Sequence, residues 1–459
     1  MRDFSAPFKG KRITVLGLGL LGRGVGDVEF LAKCGAEVLV TDKKNGSELA
    51  ASVEKLKHYS NVQFKLGGHD PEDFKHCDMV LKAAGVRLDS PEVAVAREAG
   101  IQIAMSTALF AKYASEAGVK IVGVTGTRGK STISHMIYHV LISAFAKASA
   151  DRRAFLGGNI RGISTLALLP EVQAGDIAVL ELDSWQLQGF GELKISPHVA
   201  VFSNLMPDHQ NYYKHMEEYF ADKANIFRYQ KPGDTFIAGN GLTKRLQTPH
   251  QPVEALAPEG LPADWMLKVP GEHNRHNAAL AAAALLSLGL NSEQIRAGLE
   301  SFEGVEGRLQ LVAEKNLPRV AGGKAGGVKI YNDNNATTPE ATIAALKALQ
   351  ESGGKRQEAR IILIVGGSDK GLGLTALAEE IRNSCKAVVL LSGTGTEKLA
   401  SILDSRFTIH DSLSLALQKA LELAASGDII LFSPAFASFG MFKNEYERND
   451  QFLSLVSHI

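Results

Sequence analysis

The chain has 459 residues, its 50 Lys+Arg are balanced by 50 Asp+Glu, and 45% of it is hydrophobic. At about 150 residues per domain that length suggests roughly three domains. Zero net charge argues against bulk nucleic-acid binding, and a near-average apolar fraction rules out disorder as the dominant state. Cys34, Cys77 and Cys385 lie far apart without a CxxC pair, which argues against a disulfide framework or structural zinc and fits a reducing compartment. The start, MRDFSAPFKGKRITVLG, does not read as a signal peptide, and no run reaches about 18 apolar residues. A soluble, cytoplasmic protein with no membrane or nucleic-acid partner is expected.

Short apolar, β-branched runs alternate with helical patterns along almost the whole chain. Strands are expected at Arg12–Leu16, Glu37–Thr41, Met79–Lys82, Ile121–Val124, Ile177–Leu182, Val199–Asn204, Thr235–Ala238, Val328–Asn332, Ile361–Val365, Ala387–Leu391 and Ile429–Phe432. Continuous runs such as IILIV and AVVLL are the mark of parallel strands buried on both faces, and their alternation with helices gives an α/β fold. The pattern restarts twice, dividing the chain into 1–112, 113–307 and 308–459. STALFAKYASEAG reads as a helix leading into the second block. Residues 241–263 read as loop, and the Gly-rich AGGKAGGV reads as a hairpin turn before KIYNDN.

The first chemical signal in chain order is GLGLLG at 17–22, after the strand ITVL, with Asp42 ending the next strand. A GxGxxG turn and an acid about twenty residues on suit a dinucleotide, or any ligand with a pyrophosphate and a ribose. The stronger signal is IVGVTGTRGKST at 121–132. Here a strand ends in a Gly-rich turn and Lys130-Ser131 opens a helix. Turn and helix N–H groups would face a polyphosphate, Lys130 would add a point charge, and Ser131 could ligate Mg²⁺. Val124 stands where the general P-loop spacing asks for glycine, so the match is to TGTxGK(S/T). Three further segments carry polar residues at strand ends or a helix start: LELDSWQLQ (Glu181, Asp183), FSNLMPDHQNYY (Asp208, His209) and GEHNRHNAALAAAA (Asn274, Asn277). In open α/β sheets, ligands bind at the carboxyl ends of strands.

Together these segments resemble the Mur ligase family, the ATP-dependent amide-bond ligases of peptidoglycan precursor synthesis. TGTRGKST, the DH after a strand, HNRHN, the Arg of GVEGR and YND are its motifs in order. GLGLLG, LGGNI, LELDSWQL, YNDNNATTPEATIAAL, VGGSDKG and SPAFASFGMFKNEYERNDQF resemble its D-glutamate-adding branch, and the likeness covers essentially the whole chain. The resemblance implies a Rossmann-like N-terminal domain for the UDP-precursor. A central P-loop domain with a mostly parallel sheet would follow, then a Rossmann-like C-terminal domain for the amino acid. It implies a monomer whose substrates are UDP-N-acetylmuramoyl-L-alanine, D-glutamate and ATP, joined through an acyl phosphate and a tetrahedral intermediate.

Residue roles follow from the same resemblance. Gly126, Thr127, Gly129, Lys130, Ser131, Thr132, Asn274, Asn277, Arg308 and Asp333 would meet ATP. Gly19, Leu20, Leu21, Asp42, Lys43, Gly85, Asn159, Asp183, Gln186 and His209 would meet the UDP-precursor. Thr337, Lys370 and Ser438 would hold the acceptor amino acid, with Lys370 pairing its side-chain carboxylate. Ser131, Glu181, His209 and Lys223 would serve two Mg²⁺ sites, with Mn²⁺ an alternative metal. Lys130, Glu181, His209, Lys223 and Arg308 are the implied catalytic set. Lys223, in YFADKANIF, aligns with the family's carbamylated lysine, although its pattern alone suits a helix-surface lysine. Closure of the domains would bring in Arg308 and Asp333 to the ATP, and Lys370 with the acceptor.

The chain departs from the family pattern at several positions. Asp183 replaces a serine, where it would strengthen metal binding or bond a backbone N–H. Arg128 replaces Asn, Gly307 a His, Asn335 a Lys, and Glu445 an aromatic that moves to Tyr446. Other readings stay open: a Mur-type ligase for another amino acid such as L-glutamate, or a nucleotide-gated UDP-sugar-binding protein without turnover. A dehydrogenase fits GLGLLG and Asp42 but leaves TGTRGKST, the DH segment and Lys223 unexplained.

Overall fold

The computed structural model describes residues 3–20, 22–147, 152–208, 212–239, 242, 255–256, 258–316, 327–352, 360–403 and 407–459. By internal contacts the chain divides into two compact units. One comprises Met1–Leu261 with Asn277–Leu299, the other Pro262–His276 with Glu300–Ile459. Among the described residues, no helix is long and apolar enough to cross a membrane.

The first unit contains two parallel sheets. In the first, the spatial order is Val62–Leu66, Glu37–Asp42, Arg12–Leu16, Met79–Lys82, Gln102–Ala104. The order reverses between Arg12–Leu16 and Met79–Lys82, which opens a crevice at their carboxyl ends. In the second, the order is Ala255–Leu256, Thr235–Ala238, Val199–Phe202, Lys120–Thr125, Ile177–Glu181, Ala154–Gly158. Lys120–Thr125 is therefore central, flanked by the two strands that lead into the LELDSWQLQ and FSNLMPDH segments. Every residue of Ile177–Glu181 and Val199–Phe202 is buried, as expected of strands covered on both faces.

The second unit carries one mixed sheet. Its order is Gln310–Asn316, Gly327–Asn332, Ile429–Phe432, Ile361–Gly366, Cys385–Leu391, Phe407–His410, with only the first pair antiparallel. The expected hairpin is present in that first pair; its Gly-rich turn lies outside the described residues, as does most of 241–263. Apolar clusters cover both faces of this sheet. One contains Leu346, Leu363, Leu377 and Leu431, the other Ile330, Ile364, Leu417 and Phe452.

All expected strands are observed, shifted by a residue or two at some ends. Val62–Leu66, Gln102–Ala104, Ala154–Gly158, Ala255–Leu256, Gln310–Asn316 and Phe407–His410 are additional.

Candidate active site

The carboxyl end of Lys120–Thr125 turns directly into the helix Lys130–Lys147, so the helix starts at the motif's lysine. A helix N-terminus and its macrodipole favour an anion there. The turn is fixed by the neighbouring segment 203–206. Thr127 N donates to Asn204 O at 2.9 Å, Arg128 N to Asn204 Oδ1 at 2.9 Å, and Met206 N to Thr127 Oγ1 at 2.9 Å. Gly129 has φ +84°, and a Cβ there would lie 2.5 Å from Asn277 Oδ1, so only glycine lets the turn approach that asparagine. Lys130 Nζ donates back to Gly126 O at 3.0 Å and Thr127 O at 3.1 Å.

Ser131 and Glu181 are buried, and Glu181 ends the strand beside Lys120–Thr125. Among the described residues Glu181 carries no ion pair, and no group of three His, Cys, Asp or Glu side chains forms a metal cage. Mg²⁺ at a nucleotide needs only one or two protein oxygens besides phosphates, so a buried serine and one carboxylate suit it. His209 and Leu21 lie outside the described residues; Asp208, next to His209, is described.

Lys223 is 1% exposed, on the helix Met216–Ala224. Its Nζ donates to Gly126 O at 2.9 Å and approaches Thr125 Oγ1 at 3.3 Å, which places it beneath the phosphate turn rather than on a helix surface. Burial, and then the Lys130 cation, hold its amine well below the usual lysine range.

Asp183 caps the helix Ser184–Leu193. Its Oδ1 accepts from Gln186 N at 2.7 Å, and Gln186 Oε1 accepts from Asp183 N at 3.2 Å. Of the two roles considered for this departure, bonding a backbone N–H is the observed one. Gln186 also donates to Thr107 Oγ1 at 3.3 Å. Asn159 N donates to the backbone carbonyl of Glu181 at 2.7 Å, which holds the LGGNI segment against the end of that strand.

At the switch point of the first sheet lies a cavity of about 250 Å³, whose lining includes Gly19, Leu20, Gly85 and Gln186. Asp42 is buried and bonded inward: Leu18 N at 2.9 Å and Gly19 N at 3.3 Å donate to its Oδ2, and Lys44 N donates to Oδ1 at 2.9 Å. In this arrangement Asp42 shapes the glycine turn. Lys43 is exposed and lies 3.9 Å from Glu92.

The cavity lining also includes three charged residues that the sequence did not single out, Arg23, Asp27 and Lys82. Lys82 Nζ donates to Ala83 O at 3.1 Å and Val86 O at 2.6 Å, tying down the turn that contains Gly85. Burial pulls its pKa down to about 8. The available signal was a lysine ending the otherwise apolar run MVLK; for Asp27, within an amphipathic helix pattern, there was none.

In the second unit, Asp333 is buried, its Oδ1 accepting from Leu309 N at 3.0 Å and its Oδ2 from Ser433 Oγ at 2.8 Å. Burial pushes its carboxyl up to about 7. That bond anchors the turn displaying Arg308, where Leu309 takes a left-handed φ of +46°. Lys370 Nζ donates to Thr337 Oγ1 at 3.0 Å, so two of the three residues that the family resemblance implies for the acceptor touch. Ser438 is buried, one residue beyond Ala437, whose N–H and C=O pair with Ser368. Asn274 Nδ2 donates to Pro270 O at 2.7 Å.

Three family models match the chain. The Mur ligase MurD-like N-terminal domain matches residues 11–105, the Mur ligase middle domain 124–256, and the Mur ligase glutamate ligase domain 307–436. UDP-N-acetylmuramoylalanine–D-glutamate ligase of Roseiflexus sp. (strain RS-1) is 35% identical, covering 97% of this chain and 98% of that one. The same-named ligase of Borreliella burgdorferi (strain ZS7) is 32% identical over 98% of each chain. The crystal structure of UDP-N-acetylmuramate–alanine ligase MurC from Thermotoga maritima shares the fold, with TM-score 0.60 and 19% identity over 98% of this chain and 99% of that one. MurF ligase from Thermotoga maritima in complex with ADP does so with TM-score 0.55 and 16% identity over 99% and 96%.

Proposed function

We infer that this chain, which belongs to the Mur ligase family, joins D-glutamate to the alanyl carboxylate of UDP-N-acetylmuramoyl-L-alanine with cleavage of ATP to ADP and phosphate. The supporting observation is full-length likeness to relatives bearing that name, together with a phosphate turn built as the chemistry requires. The enzyme works in cytoplasmic peptidoglycan precursor synthesis.

The reaction needs charge neutralisation and positioning more than a protein nucleophile. In the first step an alanyl carboxylate oxygen forms a bond to the γ-phosphorus while the bond to the β-phosphate oxygen breaks, giving acyl phosphate and ADP. The turn N–H groups of 126–131, the helix N-terminus and Lys130 hold the phosphates, and Lys130 exchanges its contacts with Gly126 O and Thr127 O for phosphate oxygens. In the second step the D-glutamate amine attacks the acyl carbon. The tetrahedral intermediate expels phosphate, and the nitrogen loses its proton. Thr337, Lys370 and Ser438 orient the acceptor, and Arg308 meets the phosphates.

Ser131, Glu181, His209 and Lys223 would hold Mg²⁺ at two sites, and Mg²⁺ supplies charge neutralisation at the transferred phosphoryl group. For Lys223 we propose carbamylation. The neutral amine adds to CO₂ with loss of a proton, turning a buried would-be cation into an anion suited to a metal. Its burial and its position under the phosphate turn support this.

The test is phosphate release from ATP with Mg²⁺ and D-glutamate, with and without the UDP-precursor. Release is expected only with the precursor, and Lys130→Ala should reduce it by at least about a thousandfold. Precursor-independent hydrolysis, or an active Lys130→Ala enzyme, would contradict the reading.

A further inference from the structure

Arg448 is 1% exposed, on the second turn of the helix Glu445–Ser457. A guanidinium is rarely buried so completely unless its donors are matched. Here they are: Nε donates to Asn334 Oδ1 at 2.8 Å, Nη2 to Asn334 O at 2.9 Å, and Nη1 to Phe436 O at 3.3 Å. Asn334 is itself fully buried and donates through Nδ2 to Glu445 O at 2.9 Å, closing the bridge back onto the same helix.

The two segments so joined are those that carry acceptor residues. Thr337 follows Asn334 on one, and Ser438 follows Phe436 on the other. Between them Ala435 N donates to Ala336 O at 2.8 Å. Ala435 is buried and adopts φ +63°, a left-handed conformation that disfavours any residue with a Cβ. Such strain persists only where surrounding contacts over-determine it, and it gathers at binding sites. The Arg448 fork adds a side-chain clamp to the backbone bond that already spans the strained loop and its neighbour.

We propose that Arg448 is a positioning residue for the amino-acid acceptor, setting the spacing between Thr337 and Ser438 by clamping Asn334 to Phe436. The proposal rests on the functional reading above. Arg448 acts through these residues and does not itself touch the reacting atoms. Lysine cannot replace it, because an ammonium is a point donor and lacks the planar fork that serves three oxygens on two segments.

The test is steady-state kinetics of Arg448→Lys with each substrate varied in turn, alongside its thermal midpoint. A folded Arg448→Lys enzyme is expected to show a KM for D-glutamate raised about 10- to 100-fold. Its KM for ATP and for the UDP-precursor should stay within about threefold, as should kcat. Asn334→Ala, which removes the Nε acceptor but leaves the arginine, should show the same selective rise, and it decides the matter if Arg448→Lys does not fold. An unchanged D-glutamate KM in a folded variant overturns the proposal, as does a fall in kcat with all three KM values unchanged. Wild-type protein inactive with D-glutamate would instead overturn the functional reading on which the proposal rests.

Discussion

The Lys223 amine faces the carbonyl of Gly126 with 1% of the residue exposed, and it shares its surroundings with a second cation, Lys130. Desolvation and like-charge repulsion both disfavour its protonated form. The proposed carbamate would replace a disfavoured cation with an anion suited to a metal. Lys223→Ala is therefore expected to lose at least about a hundredfold in turnover, and a short-chain carboxylate such as acetate should restore part of it by supplying the missing anion. Full activity of Lys223→Ala without added acid would remove the carbamate from the account. From its pattern alone this lysine reads as solvated; only the family likeness pointed elsewhere, because nothing in YFADKANIF reports that the helix packs under the phosphate turn.

At the scale of elements, Asp27 on the helix Arg23–Lys33 accepts from Ser106 Oγ and Ser164 Oγ, both at 2.6 Å, and so ties that helix to the start of Ser106–Glu116 and to the segment after Ala154–Gly158. Burial raises its carboxyl to about 6. The unfolded chain releases this proton near pH 3.9, so between about 4 and 6 the folded state holds more protons than the unfolded state. Stability from this group is thus greatest at low pH and falls as pH rises through that window, by up to ~3 kcal/mol. Asp27→Asn keeps an oxygen for both serines and carries no charge. Its stability relative to wild type should rise between pH 4 and 6.5 in urea titrations, and parallel pH profiles would show that Asp27 is not the titrating group.

Strands were legible where burial on both faces forces an apolar run, as in Ile361–Gly366, whose residues are all buried. Val62–Leu66 and Phe407–His410 were not. Both lie at sheet edges, where exposed positions interrupt the run and weaken the signal. Two departures that read as separate losses in the sequence prove to be one contact. Gly307 has φ +69°, a Cβ on it would lie 2.9 Å from Asn335 Nδ2, and Asn335 N donates to Gly307 O at 2.9 Å. A larger side chain at 307 would displace the Asn335 amide from that contact.

Within the first unit, Lys130 follows the carboxyl end of Lys120–Thr125 and Glu181 ends Ile177–Glu181, so two of the residues implied for catalysis lie at the carboxyl ends of parallel strands. The contiguous motif TGTRGKST was legible because one turn supplies N–H groups, cation and hydroxyl together. Asp27, Lys82 and Arg448 were not, because each owes its role to segments far away in the chain: Ser164 for Asp27, Asn334 for Arg448, and for Lys82 a cavity lined by Gly19 and Gln186. Membership of the family leaves acceptor identity as the claim most exposed to test, since chirality is decided by pocket geometry around Thr337, Lys370 and Ser438. The direct measurement is phosphate release from ATP with Mg²⁺ and UDP-N-acetylmuramoyl-L-alanine, supplied in turn with D-Glu, L-Glu, D-Asp and L-Lys, with the product weighed by mass spectrometry. An adduct of precursor and glutamate is expected with D-Glu alone. An adduct with a different amino acid, or none with D-Glu, would contradict it.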